Sequence, residues 1–163
     1  MQLWVVRHAK SSWADPGQRD FDRPLNERGL KDGKRLVRWI RALTERPGFI
    51  CSSDAMRARL TAEYVREGCG PTTHLVFEHR IYEASTETLL EVVRGFPSNC
   101  PSAALVGHNP GSTEFVNRMV GKSVIDNLPT LGIAVLELAV DFADARFGCA
   151  RLLQLYSPKT MRD

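Results

Sequence analysis

No stretch of this 163-residue chain stays apolar for long. The first apolar run, Leu3 to Val6, closes at Arg7, too short for a signal segment or a membrane span. The expectation is a cytoplasmic protein with no membrane partner. Cysteine is sparse: Cys51, Cys69, Cys100 and Cys149 are scattered, with no CxxC pair and no histidine at zinc-ligand spacing. Free thiols follow, with Cys51 on a strand in the core. HxH and HExxH are both missing, so a metal hydrolase lacks its ligands and no metal or other cofactor is expected. Charge is short as well. A net +3 is too mild to call for nucleic acid, though it suits an anionic substrate. There is no repeat and no low-complexity segment. A composition of 43% hydrophobic and 25% charged residues is ordinary for a globular protein, and the length favours one domain over 1–163.

What is present is an alternation of short apolar runs and amphipathic stretches. Gln2 to Val6, Phe49 to Cys51, Leu75 to Phe77 and Ala103 to Val106 read as brief buried strands. Leu131 to Val140 and Ala150 to Tyr156 read as two more, a pair compatible with an antiparallel edge. Between them, Asn26 is placed as the N-cap of a helix whose inner face is Leu30, Leu36, Val37, Ile40 and Leu43. Ser52-Ser53-Asp54 is expected to cap a second helix, with Met56, Leu60, Tyr64 and Val65 inward. Further helices carry Leu89, Leu90 and Val93, then Phe115, Val116, Met119 and Val120. Residues 11–24 form a polar connection long enough to face a substrate; its Trp13 and Phe21 are expected to pack. This order predicts an α/β three-layer sandwich with a mostly parallel central sheet flanked by helices.

In such sheets ligands bind beyond the carboxyl ends of the strands. Arg7 and His8 follow the first strand, Arg57 lies in the first turn after the second, and His108 follows the fourth. His74 and His79 belong to no such arrangement and read as structural or exposed. The residue types fit phosphoryl chemistry. A histidine attacks phosphorus only when neutral, and flanking guanidinium groups push it that way by like-charge repulsion. The same guanidinium groups offer forked donors to nonbridging oxygens. His8 is then the nucleophile, Arg7 and Arg57 bind the phosphoryl group, and a protonated His108 adds a further donor.

Arg7-His8-Ala9, the segment Ser52-Ser53-Asp54-Ala55-Met56-Arg57-Ala58-Arg59-Leu60-Thr61-Ala62 and Gly107-His108-Asn109-Pro110-Gly111 together resemble the histidine phosphatase superfamily. Arg7 to Trp13, followed by Asp22-Arg23-Pro24-Leu25-Asn26-Glu27-Arg28-Gly29, is similar to its short SixA-type phosphohistidine phosphatases. The likeness runs from residue 2 to about residue 120. It implies a phosphoglycerate mutase-like fold, His8 as the phosphorylated group, and Arg7, Arg57 and His108 around the phosphate, with Ser11 as a further binding residue. Two features depart from the superfamily. Ala9-Lys10 stands where many mutase-like members have Gly-Glu. Glu83 stands near the place of a proton-donating glutamate, in an unusual context, as a catalytic acid or as an exposed loop residue. The implied partner is a phosphorylated protein, such as a histidine phosphotransfer domain, or a small phosphorylated metabolite. A sugar- or nucleotide-phosphate monoesterase and a non-catalytic phosphate-binding module are the competing functions.

Overall fold

A computed structural model describes residues 1–162. Among the described residues the strands are β1 (Gln2–Arg7), β2 (Phe49–Ser52), β3 (His74–Phe77), β4 (Ser102–Gly107), β5 (Ile133–Leu138) and β6 (Ala150–Tyr156). The helices are α1 (Glu27–Arg41), α2 (Met56–Cys69), α3 (Thr86–Arg94) and α4 (Gly111–Val120). One sheet runs in the order β3-β2-β4-β1-β5-β6. β1, β2, β3 and β4 pair in parallel, whereas β5 runs antiparallel to both β1 and β6. The expected edge pair is therefore an antiparallel extension of the sheet, with β5 interior.

The sandwich follows from side-chain alternation. Leu3 and Val5 of β1 join the core beneath α3 and α4, while Trp4 and Val6 join the core beneath α1 and α2. β1 and β4 are thus covered on both faces, which is why both read as unbroken apolar runs. No helix among the described residues is long and apolar enough to cross a membrane.

The helix faces differ from expectation where glycine and alanine set the spacing. Asn26 does cap α1, its side chain accepting the Gly29 N–H at 2.8 Å. Leu30, however, is 41% exposed. The inward positions of that half of α1 are Gly29, where an added Cβ would lie 2.2 Å from the Lys10 carbonyl oxygen, and Gly33, packed against the Tyr64 ring. Likewise Met56 is 38% exposed, and the buried stripe of α2 is Ala58, Thr61, Ala62 and Val65. Small residues let α1 and α2 approach closely, which hydrophobic periodicity alone does not register. The N-cap of α2 is Ala55, without a side-chain capping bond, in place of the expected Ser52-Ser53-Asp54. Those polar side chains are used elsewhere: Ser53 Oγ lies beside His108, and Asp54 pairs with His79.

Candidate active site

Parallel pairing of β1 with β4 sets Arg7 opposite Gly107, so His8 and His108 leave the sheet side by side. The His8 backbone N–H donates to the Gly107 carbonyl at 3.0 Å, and the two imidazole centroids are 5.2 Å apart. β2 flanks β4 on its other side, with Ser52 opposite Val106. That register delivers Ser53 and the first turn of α2, bringing Ser53 Oγ to 2.7 Å from His108 Nε2. Strand order alone therefore gathers the residues that the sequence placed at one sheet edge.

His8 is 8% exposed, and its Nδ1 lies 2.7 Å from the Ala9 carbonyl oxygen. A carbonyl only accepts, so Nδ1 carries the hydrogen and Nε2 keeps its lone pair. The Ala9 peptide is itself fixed: its N–H donates to Thr61 Oγ1 at 3.0 Å, and the Thr61 hydroxyl donates to the Arg57 carbonyl at 2.7 Å. Burial pushes the His8 pKa down to about 4, against the Ala9 bond, and the charges of Arg57, Arg7 and Arg23 push the same way. Burial, rather than the like-charge repulsion expected from sequence, is the leading cause. His108 is pushed down to about 3 by burial, then by His8 and Arg57. Burial therefore works against the protonated donor expected of His108 and favours the neutral ring, which still carries one N–H.

Arg57, 7% exposed, donates from Nη1 to the Asp20 carbonyl at 2.7 Å and from Nη2 to Asp20 Oδ2 at 3.0 Å. Arg7 Nη1 donates to the Leu128 carbonyl at 3.0 Å, while its buried Nε has no hydrogen-bond partner among the described residues. The Leu128 carbonyl also takes Asn109 Nδ2 at 2.9 Å, and Thr113 donates through N and Oγ1 to Asn109 Oδ1. The β4–α4 turn thereby helps hold the segment that fixes Arg7. Arg23 is buried beneath Trp13, its guanidinium carbon 3.3 Å from the ring centroid. Trp13 is 74% exposed, in contrast to its expected packing, because its face covers a cation instead of core. Phe21 is half-buried, edge-on to Tyr82.

A cavity of about 390 Å³ opens beside His108 and Arg57, lined also by Asp20, Tyr82, Glu83 and Glu114. Glu83 thus shares this cavity with His108 and Arg57, whereas His8 and Arg7 are not among its lining residues. Ser11 is buried and is not among the lining residues; its Oγ accepts from Arg23 Nη2 at 2.5 Å. His74 and His79 are exposed, as expected, and outside the cluster. No group of three or more His, Cys, Asp or Glu among the described residues is placed to hold a metal ion.

The profile of the histidine phosphatase superfamily (branch 1) matches residues 3–90. The chain belongs to the histidine phosphatase superfamily. An uncharacterised Mycobacterium tuberculosis protein is 31% identical over 94% of this chain and all of its own length. The structure of an Agrobacterium tumefaciens protein, provisionally assigned as the phosphohistidine phosphatase SixA, superposes with a TM-score of 0.82. It is 31% identical and covers 96% of this chain and 97% of its own. A protein histidine phosphatase SixA complexed with tungstate shares the fold at a TM-score of 0.83 and 18% identity, over 99% of this chain and 100% of its own. Superfamily and SixA neighbours together make the protein a phosphatase, a hydrolase.

Within this histidine phosphatase, sequence reasoning missed Asp20, Arg23 and Tyr82 as parts of the site, together with the supports Ser53, Thr61 and Asn109. The length of the 11–24 loop was the available signal for the first two. Nothing in the residue pattern marked Tyr82, which reaches Asp20 Oδ2 through its hydroxyl at 2.7 Å.

Proposed function

We propose that the protein is a metal-independent phosphatase that passes a phosphoryl group through His8 Nε2, and that its substrate is protein phosphohistidine. The observation that carries this reading is the Nδ1 hydrogen bond of His8 to the Ala9 carbonyl, which leaves a lone pair on a buried ring that feels the charges of Arg57 and Arg7. In the first step Nε2 forms a bond to phosphorus as the bond to the leaving group breaks, the charge spreading onto oxygens that face guanidinium donors. In the second, water attacks phosphorus, the N–P bond breaks, and phosphate departs with the proton balance restored from solvent. The arginines neutralise the charge that a metal otherwise meets.

The leaving-group side supports a P–N substrate. Asp20, Glu83 and Glu114 line the cavity, and Arg57 is the cationic side chain among its lining residues. A leaving group with a second phosphate or a carboxylate is repelled there, whereas an imidazole is not. Imidazole also departs as a neutral ring once protonated, so it needs a strong general acid less than an alkoxide does. The partner is then a phosphorylated protein such as a histidine phosphotransfer domain. A small phosphomonoester remains the second reading, because a cavity of about 390 Å³ is large enough for a metabolite.

The test is phosphate release from a phosphohistidine protein and from a chromogenic phosphate ester, both in EDTA, with acid-labile 32P trapped on the enzyme. Turnover that survives chelation, loses its label in His8→Ala and prefers the P–N substrate is expected. Loss of turnover with EDTA, or a label elsewhere than His8, refutes it. Phosphate binding without any turnover points to the regulatory module. Glu83→Gln should leave P–N turnover within about threefold; a loss of about a thousandfold would make Glu83 the general acid.

A further inference from the structure

A carboxylate is an odd resident for a pocket whose task is to hold an anion. Asp20 is half-exposed, yet four side-chain donors converge on it. Its carboxylate accepts from Arg23 Nη1 at 2.9 Å, Arg57 Nη2 at 3.0 Å and the Tyr82 hydroxyl at 2.7 Å, and its backbone carbonyl accepts from Arg57 Nη1 at 2.7 Å. Arg23 is tied in turn to the Ser12 carbonyl and Ser11 Oγ, so one carboxylate links the 11–24 loop, α2 and the segment after β3. The Tyr82 bond, with Arg23 and Arg57, holds the Asp20 carboxyl well below the usual carboxylate range. It is ionised and has no proton to give a leaving group.

We infer that Asp20 is a positioning residue and internal counter-anion of the phosphoryl site: it aligns Arg57 and Arg23 and offsets part of their charge. The inference rests on the phosphatase reading of His8. A guanidinium has five N–H donors, and the two taken up by the Asp20 contacts leave Arg57 Nε and its other hydrogens for the substrate. Pinning the planar group at one edge fixes the direction of those that remain, which serves a transition state whose charge spreads over the equatorial oxygens. Offsetting a charge does the opposite to ground states. It loosens substrate and product phosphate alike, and uniform binding of that kind adds nothing to kcat. Asp20 therefore exchanges anion affinity for alignment.

The experiment measures kcat, KM and phosphate affinity on the full chain carrying Asp20→Asn or Tyr82→Phe. Affinity is read both as Ki and by calorimetry with inorganic phosphate. Asp20→Asn should lower kcat about ten- to a hundredfold, the cost of a misplaced binding group. It should also tighten phosphate about three- to tenfold, as Coulomb's law gives for one charge acting on a dianion at roughly 7 Å in a water-like dielectric. Tyr82→Phe keeps the charge, so kcat should fall several-fold with phosphate affinity unchanged. A merely structural role for Asp20 would weaken phosphate and lower kcat together, and that result overturns the inference, as does unchanged affinity. Wild-type protein without turnover refutes the phosphatase reading alone, because calorimetry still reports the sign at Asp20.

Discussion

Keeping His8 and His108 uncharged in the interior makes the stability of the fold depend on pH in a calculable way. Burial holds their pKa values down at about 4 and about 3, against 6.5 for a free imidazole. Below 6.5 the unfolded chain takes up a proton on each ring that the folded chain refuses until about pH 4. The unfolded state binds more protons across that window, so unfolding free energy rises with pH. The stability contributed by neutral rings is complete above 6.5 and is lost as the pH falls. Each proton is worth about 1.4 kcal/mol per pH unit, and the unfolded ring is half protonated at 6.5, so acidification from 6.5 to 5 costs somewhat under about 2 kcal/mol per ring and about 3 in all. For a chain of this length that corresponds to a fall in Tm of about 6–12 °C. Asp20, Glu78 and Glu87, whose carboxyls are held low by their partners, withdraw stability only below about pH 4.5 and do not contaminate this window. Urea unfolding at constant ionic strength between pH 8 and 5 measures the slope, and His8→Gln should roughly halve it. A flat profile between 6.5 and 5 would show that both rings accept protons inside the fold. The lone pair required of His8 would then be absent over the same range.

Two substitutions away from the reacting atoms carry further expectations. Gly33→Ala puts a Cβ at 2.3 Å from Tyr64 Cδ2, so the ring must be displaced from the α1–α2 contact. A loss of about 1–3 kcal/mol is expected in urea unfolding, and a neutral result would show that Tyr64 swings away freely. Thr61→Val removes the hydroxyl shared by the Ala9 N–H and the Arg57 carbonyl, leaving that buried N–H unpaired at a cost of about 1–3 kcal/mol. Its kcat should fall about tenfold with KM nearly constant, and Thr61→Ser should restore both; a KM effect without a kcat effect would contradict the positioning role.

The part of this site legible in the sequence is the part dictated by strand geometry. Arg7, His8 and His108 lie within a residue of the ends of β1 and β4, and parallel neighbours deliver their carboxyl ends to one edge whatever the loops do. Arg57 was legible because a first helical turn after a parallel strand faces the same edge. Asp20, Arg23 and Tyr82 were not, since each acquires its place only when residues 11–24 fold across to α2 and the segment after β3. Contacts of that range have no periodicity to betray them. The misplaced faces of Leu30 and Met56 have a related origin, for hydrophobic pattern ranks side chains by size while helix contact at Gly33 and Ala58 rewards having little.

Trp13 shows the same logic at the surface. Patterning treats an indole as core material, but Arg23 must be removed from solvent to act on His8, and a flat ring is what covers a guanidinium while leaving its edge donors free to bond Ser11, Ser12 and Asp20. The exposed indole is thus spent on burying a cation, and the buried cation helps keep His8 neutral. Reactivity and acid lability are then one property of this molecule. The desolvation that preserves the His8 lone pair, the proposed nucleophile, is the same desolvation that favours the unfolded, protonated chain below pH 6.5, and a change that relieves one must relieve the other.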